Sequence, residues 1–269
     1  MELPEFEDNW LDVVQKASRG LGVTTSPLDV FTMDENHPPG EDVLRDFAGQ
    51  LNLNAEALVQ MACDPPSAGV TLPSGVHQVP SVWGDMVVNT WLIESGDGGA
   101  VIFDTGTDAG KILKILKDGN LKAEAIFITH SHRDHIACLE ELLEKVGTGI
   151  PVYTGVDEPV SLAEGFEAGR TWKIGGLAIG TRLTWGHCRG GITYTVEGLP
   201  AAGETGLAIV GDAIFAISMG GGKIDYRAAL ETNRREIFSL PDDTILCPGH
   251  GYPTTVGHER QWNPFFQFS

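Results

Sequence analysis

The chain has 269 residues with 18 Lys and Arg against 37 Asp and Glu, and the resulting net charge of −19 repels polyanions, which excludes nucleic acid as an expected partner. At 42% hydrophobic residues it can fill one large two-layered domain plus a small appendage. No apolar run is long enough to span a membrane, and the acidic start lacks the basic and apolar regions of a secretory signal.

Residues 1–70 read differently from the rest. A short helix is predicted over 8–17, where Trp10, Val13, Val14 and Ala17 fall at helical spacing, before Gly20, Gly22, Pro27, Pro38, Pro39 and Gly40 interrupt the pattern. Leu44, Phe47, Ala48 and Leu51 then repeat at i, i+3, i+4, i+7, the stripe of an amphipathic helix. Asn54 reads as the N-cap of another helix carrying Ala57, Leu58 and Met61, and 63–69 as a linker. This is a small helical extension, expected to cover an otherwise exposed face; partner binding or substrate covering is the alternative.

From residue 76 onward strands alternate with helices. Runs 86–94 and 100–104 are β-rich and joined through Gly96-Asp97-Gly98-Gly99, a hairpin signal. A helix carrying Ile112, Ile115 and Leu116 follows until Gly119, then a strand over 125–129, a helix with Leu139, Leu142, Leu143 and Val146, and a strand at 150–153. Runs 171–174 and 177–185 flank Gly175-Gly176 as a two-residue hairpin. Further strands are predicted at 192–196, 207–210 and 244–247, with a helix around 226–238 between the last two. The sum is a sheet-rich core flanked by helices.

The chemistry concentrates after the apolar run 125–128, where His130, His132, Asp134 and His135 lie within six residues. Alternate side chains of an extended segment share a face, so His130 and His132 converge on one point, and Asp134 and His135 address a second as the chain turns into a helix. His187, Asp212 and His250 also stand where an apolar strand gives way to a glycine-containing loop, whereas His37, His77 and His258 do not. Five imidazoles and two carboxylates suffice for two borderline metal ions with open positions left over. Cys63, Cys138, Cys188 and Cys247 show neither CxxC nor ladder spacing, so reduced thiols in a cytoplasmic setting are expected.

The string His130-x-His132-x-Asp134-His135, followed by His187, by Asp212 in Gly-Asp-Ala-Ile-Phe and by His250 in Pro-Gly-His-Gly, resembles the full signature of the metallo-β-lactamase fold hydrolases. Asp104 in Phe-Asp-Thr-Gly matches that superfamily's buried supporting aspartate, and the ending from Pro253 through Asn263-Pro264-Phe265-Phe266 is similar to the short glyoxalase II-like (hydroxyacylglutathione hydrolase-like) branch. The resemblance covers 76–269 and implies an α/β (α+β) fold, a four-layered αββα sandwich with metals at one edge. The chain then divides into the helical extension at 1–70 and a catalytic domain at 76–269.

The same resemblance implies that His130, His132 and His187 hold one divalent metal, that Asp134, His135 and His250 hold another, and that Asp212 bridges them. Zinc is the expected ion, with iron or manganese as alternatives. It further implies a metal-bridging hydroxide that cleaves a thioester or other small ester, with Asp134 as catalytic proton acceptor. The partner is a small molecule, with glutathione-linked thioesters one class, for which Arg133, Arg189 and Lys223 offer basic groups. Two features depart from full-length glyoxalase II enzymes: the helices come before the metal domain instead of after it, and the segment from Tyr153 to His187 is short. The alternatives are a persulfide dioxygenase with one iron, a β-lactamase or lactonase, and a binding protein with a vestigial site. Retention of every candidate ligand argues against the last of these. Nothing in the sequence specifies an oligomeric state.

Overall fold

Ala100 and Ile102 face one way along their strand and Val101 and Phe103 the other, yet all four are buried, as happens in a sheet covered on both faces. The computed structural model describes residues 8–23, 33–199 and 206–268; the acidic start and Pro27 lie outside them. Three helices come first: α1 (Trp10–Leu21), α2 (Glu41–Leu51) and α3 (Ala55–Cys63). One sheet follows with its strands in chain order: β1 (Val76–Trp83), β2 (Met86–Glu94), β3 (Gly99–Phe103), β4 (Lys122–Ile128), β5 (Val152–Gly155) and β6 (Glu164–Phe166). Its pairs are antiparallel from β1 to β3 and parallel from β3 to β6.

The second sheet consists of β7 (Thr171–Ile174), β8 (Leu177–Leu183), β9 (Ile192–Glu197), β10 (Leu207–Gly211), β11 (Ile245–Pro248) and β12 (Thr254–Thr255), again ordered as in the chain. Only β10 and β11 run parallel there. The helices of the second region are α4 (Ala109–Asp118), α5 (Arg133–Ile136), α6 (Leu139–Val146), α7 (Tyr226–Glu236) and α8 (Val256–Trp262).

Three apolar clusters define the layers. Between the sheets, Trp91, Ile93, Phe103 and Phe127 meet Ile179, Tyr194, Val196 and Ile209. Phe127 makes ring contacts there with Phe103 at 5.5 Å and Tyr194 at 5.3 Å. The outer face of the first sheet packs Leu92, Ile102, Ile126 and Ile128 against Ile112 and Leu116 of α4 and Leu139 and Leu142 of α6. The outer face of the second sheet packs Ala208, Val210 and Leu246 under α7, α8 and the three N-terminal helices, through Val13, Val14, Leu44, Phe47 and Leu58. The expected αββα order is therefore the observed one.

Local signals place most elements, and their failures have physical causes. Asn9 starts α1 with a capping box, its Oδ1 accepting from Asp12 N at 3.1 Å while Asp12 Oδ2 accepts from Asn9 N at 3.1 Å. Asn54 caps α3 as expected, accepting from Ala57 N at 3.2 Å. The helix predicted to stop before Gly20 runs through it, because α7 lies so close that a Cβ at Gly20 would stand 2.3 Å from Tyr226 Cγ. That glycine admits a neighbouring ring and does not break the helix. The elements β1, β6, β12 and α8 were not assigned from the sequence; Thr255 caps α8 by accepting from His258 N at 3.1 Å. Among the described residues no helix is long and apolar enough to cross a membrane.

Candidate metal centre

The seven candidate ligands gather where strands of both sheets end. His130 and His132 follow β4, and Asp134 and His135 stand on α5 immediately after. His187 lies in the turn between β8 and β9, Asp212 directly follows β10, and His250 follows β11. Hydrogen bonds across the sandwich hold this edge together. Tyr194 Oη donates to Ile128 O at 2.7 Å and Ile192 N to Thr129 O at 2.9 Å. Trp91 Nε1 and Asn89 Nδ2 donate to Pro248 O at 2.9 and 3.1 Å, anchoring the turn that carries His250.

Two groups of donors result, His130, His132, His187 and Asp212 in one and Asp134, His135 and His250 in the other, each with its ligand atoms within 4.8 Å of one another. In the first, His132 Nδ1 lies 2.9 Å from His130 Nε2 and 3.1 Å from His187 Nε2. In the second, Asp134 Oδ2 lies 3.4 Å from His250 Nε2 and 3.6 Å from His135 Nε2. Asp212 stands between them: Oδ2 is 3.4 Å from His187 Nε2 and 3.6 Å from His250 Nε2, and Oδ1 is 3.3 Å from His135 Nε2.

Four of the five imidazoles have their other nitrogen tied to a neighbour. His135 Nδ1 reaches Asp104 Oδ2 at 2.8 Å, His187 Nδ1 reaches Gly221 O at 2.9 Å, and His250 Nδ1 reaches Val87 O at 2.6 Å. Thr129 Oγ1 donates to Asp104 Oδ2 at 2.7 Å, which leaves it to accept from His130 Nδ1 at 3.0 Å. Each tie puts a proton on Nδ1 and turns Nε2 inward. Asp104, matched from the sequence as a supporting residue, thus orients two of the histidines.

The charges differ between the two groups. Burial drives His130 well below the ordinary imidazole range and His187 down to about 4, and burial together with nearby Lys223 lowers His132. Burial pushes the same way at His135 and His250, but Asp212 and Asp104 carry His135 well above the ordinary range, and Asp212 and Asp134 take His250 up to about 9. Against its own burial, Asp212 is held well below the carboxylate range by His250 and His135. The first group keeps neutral nitrogens, and the second sits in a field that calls for positive charge.

A divalent cation fits these residues. His135 Nε2 and Asp212 Oδ1 are both buried without a hydrogen-bond partner, yet they face each other at 3.3 Å. Such an arrangement costs about 1–3 kcal/mol per orphaned group in the protein alone. A cation between them would satisfy both, and imidazole and carboxylate are donors for zinc, iron and manganese alike.

The remaining histidines stay apart from the centre. His37 is exposed beside Asp34, His77 pairs with Glu94 at 2.8 Å, and His258 lies on α8. Arg133, Arg189 and Lys223 are exposed, and Lys223 is the one near enough to depress His132 and His187. Gly220 serves the packing of its own loop. A Cβ there would stand 2.0 Å from Asp212 O and 2.8 Å from His187 Nδ1. Glu158 was missed from the sequence; its buried carboxylate accepts from Ser131 N at 3.1 Å and from Arg189 N at 2.8 Å. A lone Glu in a turn carries no side-chain motif, so no signal pointed to it.

Comparison with known proteins bears on the family and the fold. The family model described as "Metallo-beta-lactamase superfamily" matches residues 83–250. The probable metallo-hydrolase YqgX of Bacillus subtilis is 30% identical over 208 residues, 68% of this chain and 93% of that protein. The hydroxyacylglutathione hydrolase GloC of Haemophilus influenzae is 25% identical over 202 residues, 66% of this chain and 92% of that protein. Among solved structures, the BLEG-1 B3 metallo-beta-lactamase is 28% identical with a TM-score of 0.59, covering 71% of this chain and 98% of that one.

Proposed function

The chain belongs to the metallo-beta-lactamase superfamily, and from that premise we propose that it is a metal-dependent hydrolase cleaving a thioester or other small ester. The observation that carries the reading is the position of Asp212, one oxygen 3.4 Å from His187 Nε2 and the other 3.3 Å from His135 Nε2. In this reading His130, His132 and His187 hold one ion, Asp134, His135 and His250 hold a second, and Asp212 bridges the two. Zinc is the first choice, with iron or manganese as alternatives. When bound, such a pair supplies Lewis-acid polarisation of the substrate carbonyl and a source of hydroxide near neutral pH.

The chain's own residues do the rest. Asp134 is held below the ordinary carboxylate range against its burial, beside His250 and His135, so its carboxylate can accept and orient the proton of the attacking water. The imidazoles tied at Nδ1 keep their ligand atoms aimed without rearrangement. Lys223, exposed beside the first group, offers a cation to the anionic end of a substrate.

Similarity to GloC supports a hydroxyacyl thioester such as S-lactoylglutathione as substrate, and similarity to the BLEG-1 enzyme favours β-lactam hydrolysis as the second reading. The reading assigns the catalytic domain to 76–269 and a helical extension to 1–70. A cytoplasmic setting, where thiols stay reduced, suits its free cysteines. Elemental analysis combined with a turnover screen tests the whole reading, with S-lactoylglutathione, a β-lactam, a lactone and glutathione persulfide as substrates. Two equivalents of metal with thioester turnover are expected. One iron, no second metal and turnover of the persulfide alone would overturn it in favour of a dioxygenase.

A further inference from the structure

Glu158 sits in the turn between β5 and β6, far in sequence from every candidate ligand, and is only 5% exposed. Its Oε2 accepts from Ser131 N at 3.1 Å and, in a short contact, from Ser131 Oγ. Its Oε1 accepts from Arg189 N at 2.8 Å and Gly190 N at 3.2 Å. Ser131 lies between His130 and His132, and Arg189 follows His187 by two residues. One carboxylate therefore divides its oxygens between the two loops that bring three histidines together.

The carboxylate is itself held in place. Glu158 N donates to Gly155 O at 2.9 Å and Glu158 O accepts from Thr154 Oγ1 at 2.8 Å, so the turn is pinned to the end of β5. Strand β5 lies beside β4, whose end carries His130. The side chain of Glu158 thus links the first sheet to the His187 loop of the second. Neutral backbone donors need an acceptor when buried, and a turn capped only for stability could satisfy them locally. Here every side-chain hydrogen bond of Glu158 goes to a loop that bears a candidate ligand.

We propose that Glu158 is a positioning residue that sets the spacing between His130 and His132 on one side and His187 on the other. The proposal rests on the assignment of those histidines to one metal. A carboxylate offers both oxygens as acceptors, and an amide replaces one of them with a donor that confronts the N–H groups of one loop. Releasing a loop by a few tenths of an ångström loosens the ligand triangle without touching a ligand, and outer partners of this type change metal affinity by roughly 10- to 100-fold.

The test is competition for zinc between a chromophoric chelator and four proteins: the wild type, Glu158→Gln, Ser131→Ala and His132→Ala. Wild type is expected to hold two equivalents. Glu158→Gln should hold one equivalent as tightly as wild type and the other about 10- to 100-fold more weakly. Ser131→Ala, which keeps the backbone N–H and removes only the hydroxyl, should show a smaller loss at the same equivalent with its circular dichroism unchanged. At saturating zinc the turnover number of Glu158→Gln should recover towards wild type, which a generally destabilised protein would not show. Two equivalents held as tightly as wild type in both Glu158→Gln and Ser131→Ala would overturn the positioning role. So would equal weakening of both equivalents in Glu158→Gln. If the metal-centre reading itself fails, wild type holds fewer than two equivalents and His132→Ala is indistinguishable from it, a different pattern from failure of Glu158 alone.

Discussion

Asp104 stands behind the second donor group and serves three donors with two oxygens: Thr129 N at 2.7 Å on Oδ1, and Thr129 Oγ1 at 2.7 Å and His135 Nδ1 at 2.8 Å on Oδ2. It does so from a backbone φ of 55°, a region that Asp tolerates better than most residues. Asp104→Asn places an amide where two donors converge, so its metal affinity is expected to fall by about 10- to 100-fold in chelator competition. Unchanged affinity would remove Asp104 from the support of the site. A second carboxylate acts on stability instead. Burial raises Glu259 to about 7 from an ordinary 4.5, although Ile217 N, Thr254 Oγ1 and Asn263 Nδ2 donate to it. Between those two values the folded protein holds a proton that the unfolded chain has released, so this group's contribution to stability falls as pH rises from about 4.5 to about 7 and is level above that. The slope is at most about 1.4 kcal/mol per pH unit. Urea midpoints across that range should lose this component in Glu259→Gln, and identical slopes in the two proteins would refute the assignment.

The N-terminal helices work as a covering layer and also make hydrogen bonds to a loop of the centre. Phe47, Leu44 and Leu58 are fully buried together with Ile214, Phe238 and Phe266. Phe47→Ala should therefore cost about 3–5 kcal/mol in urea unfolding, while zinc stoichiometry stays that of wild type. A loss below about 1 kcal/mol would mean that α2 does not pack as described. From α1, Lys16 Nζ donates to Met219 O at 3.0 Å, and Ser218 Oγ donates to Asp8 Oδ2 at 2.7 Å. The extension thus holds the loop whose Gly221 carbonyl receives His187. Its helices were legible because apolar residues recur at helical spacing and Asn54 has no better use than a cap. Gly20 misled because a glycine admitted for a neighbour's ring and a glycine that ends a helix look alike until the neighbour is known. The short β12 and α8 escaped because Thr254 and Thr255 show no alternation and α8 buries only Val256 and Glu259.

Across the whole molecule, the candidate ligands come from both sheets, with His130, His132, Asp134 and His135 on one and His187, Asp212 and His250 on the other. Metal binding in the proposed centre would therefore fasten the two layers at one edge. An ion present at 100 times its dissociation constant adds about 2.7 kcal/mol per site, which corresponds to roughly 5–10 °C in a domain of this size. Chelator-treated protein, stripped of both ions, should melt lower by about twice that amount in calorimetry and recover on adding zinc; equal melting temperatures would count against a centre that joins the sheets. The ligands themselves were legible because imidazoles and carboxylates fell at strand ends followed by glycine. Glu158 was not, because its partners are three backbone N–H groups and one hydroxyl from two distant loops, and such donors leave no motif in a sequence. The ties from His130, His135, His187 and His250 to Thr129, Asp104, Gly221 and Val87 bear on kinetics as well. Rings already turned towards the centre need no slow reorientation, but His135 and His250 must release the Nε2 proton that Asp212 favours, so ion capture would proceed in one phase whose rate rises with ion concentration and with pH.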